Sequence, residues 1–462
     1  MNFLPLSKLG PHTNGSQVHV GILLPGIQPQ EHYQVAIRVI HERDQFIQSE
    51  PAFQQTMQHS VDPDYGDYWE TTVDLDQTGS GKHWGQEGRY VYRFCVSKQD
   101  WPNGQEIDWV IDPCAREFGV GRHAAFTYGY QPYAWHAEES QWRTPRQQDL
   151  ILYEMNIMEF TGDLDRAIDK LDYLQDLGVT GISLMPVTNI TDVIDWGYTP
   201  VGYLGVDERF GKRRDFQAFV DAAHQRGMAV LVDAIYGHTS SLFPYEYLYS
   251  RLPIDNPFMG SFSQDMFAPS VDWTKTLAQD FFYAVNRHWL EVYHIDGFRY
   301  DCVPNYWELA PHFRGYASIA YHTYQWIKSQ VAADNPAYAR FQDATGALRL
   351  IQCAEQLEAV KGVLEHTYST CTWQNNTLSA VEKVAQGQAG ALTDLGQAWG
   401  AADLPTEKAV GPDILPKAPL QYFENHDHSR FVCQFGTYNP DQAGNALFEQ
   451  GLRAHWTKVQ PY

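Results

Sequence analysis

Cysteine is sparse in this 462-residue chain, with six residues at Cys95, Cys114, Cys302, Cys353, Cys371 and Cys433. They are scattered. There is no C-x-x-C and no paired Cys/His cluster, which argues against a structural zinc site and a disulfide framework. Free, mostly buried thiols in a reducing compartment are the expectation. Positive charge is also short: 33 Lys and Arg stand against 56 Asp and Glu, for a formal net charge of −23. A nucleic acid or an anionic membrane surface needs a basic footprint, so neither partner is expected. The acidity serves solubility first and fits a neutral or cationic substrate. No apolar run approaches the length of a membrane span. The opening residues, MNFLPLSKLGPHTNG, lack the basic start and apolar core of a signal peptide. The expected location is cytoplasmic.

What is present is an ordinary globular balance, 44% hydrophobic and 19% charged. The length calls for two or more domains. Aromatic residues are 14% of the chain, with 14 Trp. Their faces pack cores and also stack on sugar rings.

Residues 1–145 read as all-β. Short β-branched or aromatic stretches (VHVGILL, YQVAIRVI, YWETTVDLD, GRYVYRFCV) alternate with turn-rich pieces such as DPDYGD and TGSGKHWGQEG. This pattern predicts a β-sandwich. The polar, aperiodic AWHAEESQWRTPRQQD reads as a linker.

From residue 150 to residue 462 the pattern changes. ILYEMNIMEF, VTGISLMPV, MAVLVDAIYGH, DGFRYDCV, LRLIQCAE, a stretch near STCTWQNN, and LQYFENHD read as strands. Between them DLDRAIDKLDYLQDLG, RDFQAFVDAAHQRG, TLAQDFFYAVNRHWLEVY, YASIAYHTYQWIKSQVAA and NTLSAVEKVAQG have helical spacing, and NALFEQGLRAHWTKVQ is the last predicted helix. A polar, aromatic excursion covers about residues 239–273. Alternating strand and helix implies parallel pairing with right-handed crossovers. Seven repeats predict a (β/α)8-type TIM barrel lacking its eighth strand, in the α/β class.

In such a barrel, chemistry sits at the C-terminal ends of the strands. The strand ends here carry Asp233 and His238, then Arg299 and Asp301, then Glu355, then Asn425, His426 and Asp427. Singly, each carboxylate reads as a cap or a solvated acid, and each histidine as a satisfied hydrogen-bonding group. Jointly they are harder to explain. Two carboxylates flanking a glycosidic bond are what retaining hydrolysis requires. A third can hold substrate hydroxyls as charge develops on the sugar. In DGFRYDCV, strand alternation puts Arg299 and Asp301 on one face. A cation two residues before a carboxylate keeps that carboxylate ionised, as a nucleophile needs.

These segments resemble the four short motifs of the α-amylase superfamily, glycoside hydrolase family 13. The matches are DAIYGH (233–238), GFRYD (297–301), AE (354–355) and NHD (425–427), in the family's order. The resemblance implies Asp301 as nucleophile, Glu355 as general acid/base and Asp427 as transition-state stabiliser. It implies Arg299 holding the nucleophile ionised, and His238 and His426 binding the sugar, with Asp233 and Asn425 in the same substrate-binding set. WGYTPVGY resembles the loop after the family's second strand, so Tyr198 would stack on that sugar. The all-β front, with DWVIDPCARE near its end, is similar to the glycogen-binding-type module of branching, debranching and trehalose-releasing members.

There are two departures. Many members have an Asn, a calcium ligand, where this chain has Gly237, so no calcium and no other cofactor is expected. The eighth strand and the usual C-terminal β-domain are missing from the sequence pattern. The expected substrate is an α-glucan or malto-oligosaccharide. An α-amylase-type hydrolase of α-1,4 linkages is the first reading, and ENHDHSR favours it, since branching enzymes usually have Ser where this chain has Asn425. A branching enzyme, favoured by the front module and Gly237, or a trehalose-releasing hydrolase are the alternatives. A non-catalytic glucan-binding protein is the reading from another class.

Overall fold

The structure is a computed structural model, and it describes residues 3–191, 196–263, 267–308, 314–344, 346–400 and 407–428. The helix expected over NALFEQGLRAHWTKVQ, and Cys433, lie outside these residues. The chain divides into two compact units, Met1–Leu350 and Ile351–Tyr462. Among the described residues Cys95, Cys114, Cys302, Cys353 and Cys371 are free thiols. No described helix is long and apolar enough to cross a membrane.

The first unit opens with two antiparallel sheets. One has the strand order Gly10–Asn14, Gln17–Leu23, Gly66–Asp74, Gln58–Asp62. The other runs Phe53–Thr56, Tyr33–His41, Gly88–Lys98, His123–Tyr128, Glu117–Gly119, with Glu106–Val110 also paired to Gly88–Lys98. Alternation explains them: along Tyr33–His41 every second residue is buried, with Val35, Ile37 and Val39 at 0% exposure. This is the sandwich that the short aromatic and β-branched runs predict.

Four parallel strands follow in the same unit: Leu152–Met155, Gly181–Leu184, Ala229–Ala234 and Gly297–Tyr300. The last two are buried at every residue, which is why they read as apolar runs. Helices Arg213–Gln225 and Thr276–Val292 link them, as a (β/α) barrel requires. Two local expectations change. ILYEMNIMEF is a strand only to Met155, because the Asn156 side chain accepts the Glu159 N–H and caps a helical turn over Ile157–Phe160. DLDRAIDKLDYLQDLG is two short helices, Leu164–Ile168 and Leu171–Asp176, the first capped by Asp163.

The segment read as a linker is held tightly against the start of the strands. Thr144 Oγ1 and Trp142 Nε1 donate to Asp296 Oδ1 at 2.6 and 2.9 Å. Trp142 stacks on His224 at 4.5 Å. His224 bridges Asp296 (3.0 Å) and Glu139 (3.0 Å). Burial would lower His224, but the two carboxylates raise it to about 8. Burial would raise Glu139, but hydrogen bonds from His224 and His294 hold it down to about 2. Polar composition therefore marks a charge-paired clasp here.

The second unit contains three parallel strands, Ile351–Ala354, Cys371–Gln374 and Ala418–Gln421. Helices Val360–His366, Asn375–Ala385 and Ala391–Gly400 lie between them, with an antiparallel hairpin of Glu407–Val410 and Asp413–Pro416. Ala380, Val381, Leu395 and Ala398 form a small buried cluster joining two of the helices. The stretch near STCTWQNN is a strand, and LQYFENHD is extended only to Gln421, its polar end forming a turn. With the parallel strands and helices of both units and the antiparallel sheets ahead of them, the α/β barrel-type fold with a β-sandwich front is as the sequence implies.

Lys417 is buried just before the last strand, and its Nζ donates to the carbonyls of Thr367 and Ser369. Burial pushes its amine from the usual 10.5 down to about 7. The folded value lies below the unfolded one, so between about pH 7 and 10.5 the unfolded chain binds more protons. Stability should therefore rise with pH through that window, by about 1 kcal/mol per unit. Denaturant melts from pH 7 to 9 should show this rise, and Lys417→Met should flatten it. Parallel profiles for the two proteins would contradict the assignment.

Candidate active site

The first unit brings five of the motif residues together. Asp233 and Arg299 are paired across neighbouring parallel strands, at their C-terminal ends. Arg299 Nη1 donates to Asp233 Oδ1 at 2.7 Å and to Asp301 Oδ1 at 2.9 Å. One guanidinium nitrogen thus ties two carboxylates. Exposure is 3% for Arg299, 6% for Asp233 and 8% for Asp301. Two near-buried carboxylates this close would repel each other, and the cation between them is what makes the arrangement tolerable.

Asp301 is placed by the backbone. It follows the strand Gly297–Tyr300, and its N–H donates to Ala234 O at 3.1 Å, extending the ladder by one bond. The next residue, Cys302, has φ +41°, which turns the chain away. The carboxylate therefore stands at the strand end while its neighbours leave.

The other three residues brace this pair. The Tyr198 hydroxyl donates to Asp233 Oδ2 at 2.8 Å, and the Arg299 guanidinium lies 5.8 Å from the Tyr198 ring centroid. Burial, then the Asp233 carboxylate, pushes the Tyr198 hydroxyl well above the usual phenol range, so it acts as a neutral donor. His238 Nε2 lies 2.7 Å from Tyr198 O, which fixes the proton on that nitrogen because a carbonyl only accepts. Tyr203 OH donates to His238 O at 3.2 Å. Asp233 spends Oδ1 on Arg299 and Oδ2 on Tyr198, so it holds these side chains in place.

The second unit carries the other four residues. Glu355 directly follows the strand Ile351–Ala354 and is half-buried. The buried neighbour Gln356 accepts the N–H groups of Glu358 and Ala359, which fixes the turn after it. Asn425, His426 and Asp427 sit together in the turn beyond Gln421. Asn425 Oδ1 accepts the Asp427 N–H at 3.2 Å and lies 2.6 Å from His428 Nδ1. His426 Nε2 is 3.3 Å from Asp427 Oδ1, and its ring meets Trp373 edge-on at 5.9 Å. Asp427 is exposed.

Three residues escaped the sequence reading. Tyr203 is buried and holds the His238 backbone. Trp196, 39% exposed, donates Nε1 to Glu159 Oε1 at 2.8 Å. Phe267, 66% exposed, lies 5.8 Å from the His238 ring. Trp196 and Tyr203 sit within WGYTPVGY, and that was the available signal. Phe267 belongs to the excursion, which has no period to mark it.

The family's calcium does not fit the residue at 237. Glycine offers no side-chain ligand, and a Cβ there would meet the Tyr306 ring at 3.0 Å and Asn305 Cβ at 3.5 Å.

A family model described as the α-amylase catalytic domain matches residues 123–251, a span that includes Tyr198, Asp233 and His238. This part of the chain is thus similar to the α-amylase catalytic domain. Among curated relatives, a malto-oligosyltrehalose trehalohydrolase from Rhizobium sp. (strain M-11) is 32% identical over 219 residues, 44% of this chain and 36% of that protein. The 1,4-alpha-glucan branching enzyme GlgB of Lactiplantibacillus plantarum is 30% identical over 239 residues, 46% of this chain and 36% of the enzyme. The matches thus span about a third of the length of these relatives. In fold, the chain is similar to a pullulanase from Anoxybacillus sp. LM18-11 complexed with maltotetraose. That likeness has a TM-score of 0.60 at 16% identity and covers 90% of this chain and 60% of that one. It is also similar to the catalytic module of the multi-modular glycogen-degrading pneumococcal virulence factor SpuA. There the TM-score is 0.58 at 19% identity, covering 80% and 56%.

Proposed function

We propose that this chain provides the catalytic machinery of a retaining, α-glucan-active glycoside hydrolase of α-amylase type, cleaving α-1,4 bonds through a covalent glycosyl-enzyme intermediate. The observation that carries the reading is the Arg299–Asp301 contact at the end of a parallel strand, with Asp233 braced on the same guanidinium nitrogen. A carboxylate held ionised beside a fixed cation is suited to attack an anomeric carbon.

In this reading Asp301 attacks C1 of the sugar while Glu355 protonates the leaving oxygen. Glu355 then takes a proton from water, and that water releases the sugar from Asp301. Asp427 holds sugar hydroxyls as positive charge develops on the ring. Tyr198, His238, Asn425 and His426 bind the sugar at the point of cleavage, and Arg299 and Asp233 keep the nucleophile in place. The substrate is an α-glucan or malto-oligosaccharide. No calcium is assigned, because Gly237 offers no side-chain ligand. A cytoplasmic setting is part of the same proposal and rests on the free thiols.

Transfer to a sugar 6-hydroxyl or release of trehalose is the second reading. The names of the curated relatives favour both, and Gly237 favours the transfer. All these reactions share one intermediate and differ in what receives or leaves the sugar.

Incubation with amylose separates them. Falling iodine colour with rising reducing ends is the expected result. Falling colour with almost no new reducing ends means branching. Trehalose released from a trehalose-capped malto-oligosaccharide, with amylose untouched, means the trehalose-releasing reaction. Retained binding without any turnover would contradict every enzymatic reading.

A further inference from the structure

The first unit carries a second cluster of chemically capable side chains. His136 Nδ1, a carboxylate oxygen of Glu139 and a carboxylate oxygen of Asp221 all lie within 4.8 Å of one another. His136 and Glu139 come from the segment ahead of the first parallel strand, and Asp221 from the helix Arg213–Gln225. His136 Nδ1 is hydrogen-bonded to Asp221 Oδ1 and stands 3.9 Å from Glu139 Oε2. Zinc binds nitrogen and oxygen at about 2.1 Å, so a tetrahedral set has its ligand atoms about 3.4 Å apart. Reaching that spacing takes an opening of the His136–Asp221 contact and a closing of the 3.9 Å gap between His136 and Glu139.

The outer partners are in place as well. Tyr133 OH donates to Asp221 Oδ2 at 2.9 Å, His294 Nδ1 lies 2.9 Å from Glu139 Oε1, and His224 Nδ1 lies 3.0 Å from Glu139 Oε2, a contact that the cation would share. Such second partners orient carboxylate ligands on a metal. His294 is itself fixed by stacking on Trp135 at 3.9 Å. A cavity of about 320 Å³ borders His136, Glu139, Ser140 and His294, which supplies a route in and room for water. Arg340 also borders it, but its side chain donates to the carbonyls of Leu290, Ala337 and Ile295.

We propose that His136, Glu139 and Asp221 form a site for a zinc-class divalent cation, with water completing the coordination. One imidazole with two carboxylates suits zinc, and three protein ligands leave one position open. The site would fasten the segment carrying His136 and Glu139 to the helix carrying Asp221. It lies apart from the proposed glucan chemistry and does not depend on it.

The test is calorimetric titration of the EDTA-stripped full chain with ZnCl2, alongside thermal melts and the visible spectrum of the Co2+ form. The expected result is about one equivalent bound, a higher melting temperature and ligand-field bands from bound Co2+. His136→Ala and Asp221→Asn, tested separately with far-UV circular dichroism as the fold control, should each weaken binding on the order of 100-fold. No binding and no thermal shift in the wild-type chain would overturn the proposal. So would a folded His136→Ala or Asp221→Asn protein that binds as the wild type does.

Discussion

Asp301→Asn should lower the rate of reducing-end release from amylose by about 10⁴-fold or more while leaving the fold intact. The substitution is nearly isosteric. An amide oxygen can still accept from Arg299 Nη1, and Asp233 remains as a charged partner for the guanidinium. What is lost is the nucleophile. An amide cannot form the glycosyl ester, and the two easier steps revert to one difficult step. Initial rates and a thermal melt on the same preparation check both halves of the claim. Activity within tenfold of wild type would remove Asp301 from the mechanism.

Arg299→Met should be costly in a different way. It leaves Asp233 and Asp301 buried near each other without the shared cation. Breaking a buried pair by removing one partner costs about 3–5 kcal/mol, mainly because an uncompensated charge stays behind. Urea denaturation should show a loss of that order. The double variant Arg299→Met with Asp301→Asn should recover part of it, because one of the stranded charges is gone. Additive losses would mean that the pairing is not what limits stability here.

The sequence was most legible where local pattern and chemistry coincide. DGFRYDCV named its own strand, and alternation put Arg299 and Asp301 on one face. The 2.9 Å contact between them is the direct consequence. Asp233 was visible as a polar residue ending an apolar strand, but its role was not. That it shares Nη1 with Asp301 follows from the register Asp233↔Arg299, which pairs residues 66 apart and leaves no trace in either segment. The segment 134–149 misled for a related reason. Its charged and aromatic residues look solvated until Asp221, His224, His294 and Asp296 arrive from distant elements to pair with them. Helix bounds also slipped where a side chain competed with the pattern. Asn156 stops a strand by capping a turn, and a count of apolar residues does not register that. NHD reads as a strand end, yet Asn425 hydrogen-bonds to its own neighbours and makes a turn there.

The central claim is that Asp301 forms a covalent bond to the sugar. A fluorinated glucosyl fluoride, which forms the intermediate faster than water removes it, tests this directly. After incubation, mass spectrometry of proteolytic fragments should find the glycosyl mass on the peptide containing GFRYD, at Asp301, and no such adduct on the Asp301→Asn protein. An unmodified chain, or a sugar carried on Glu355 or Asp427, would contradict the account.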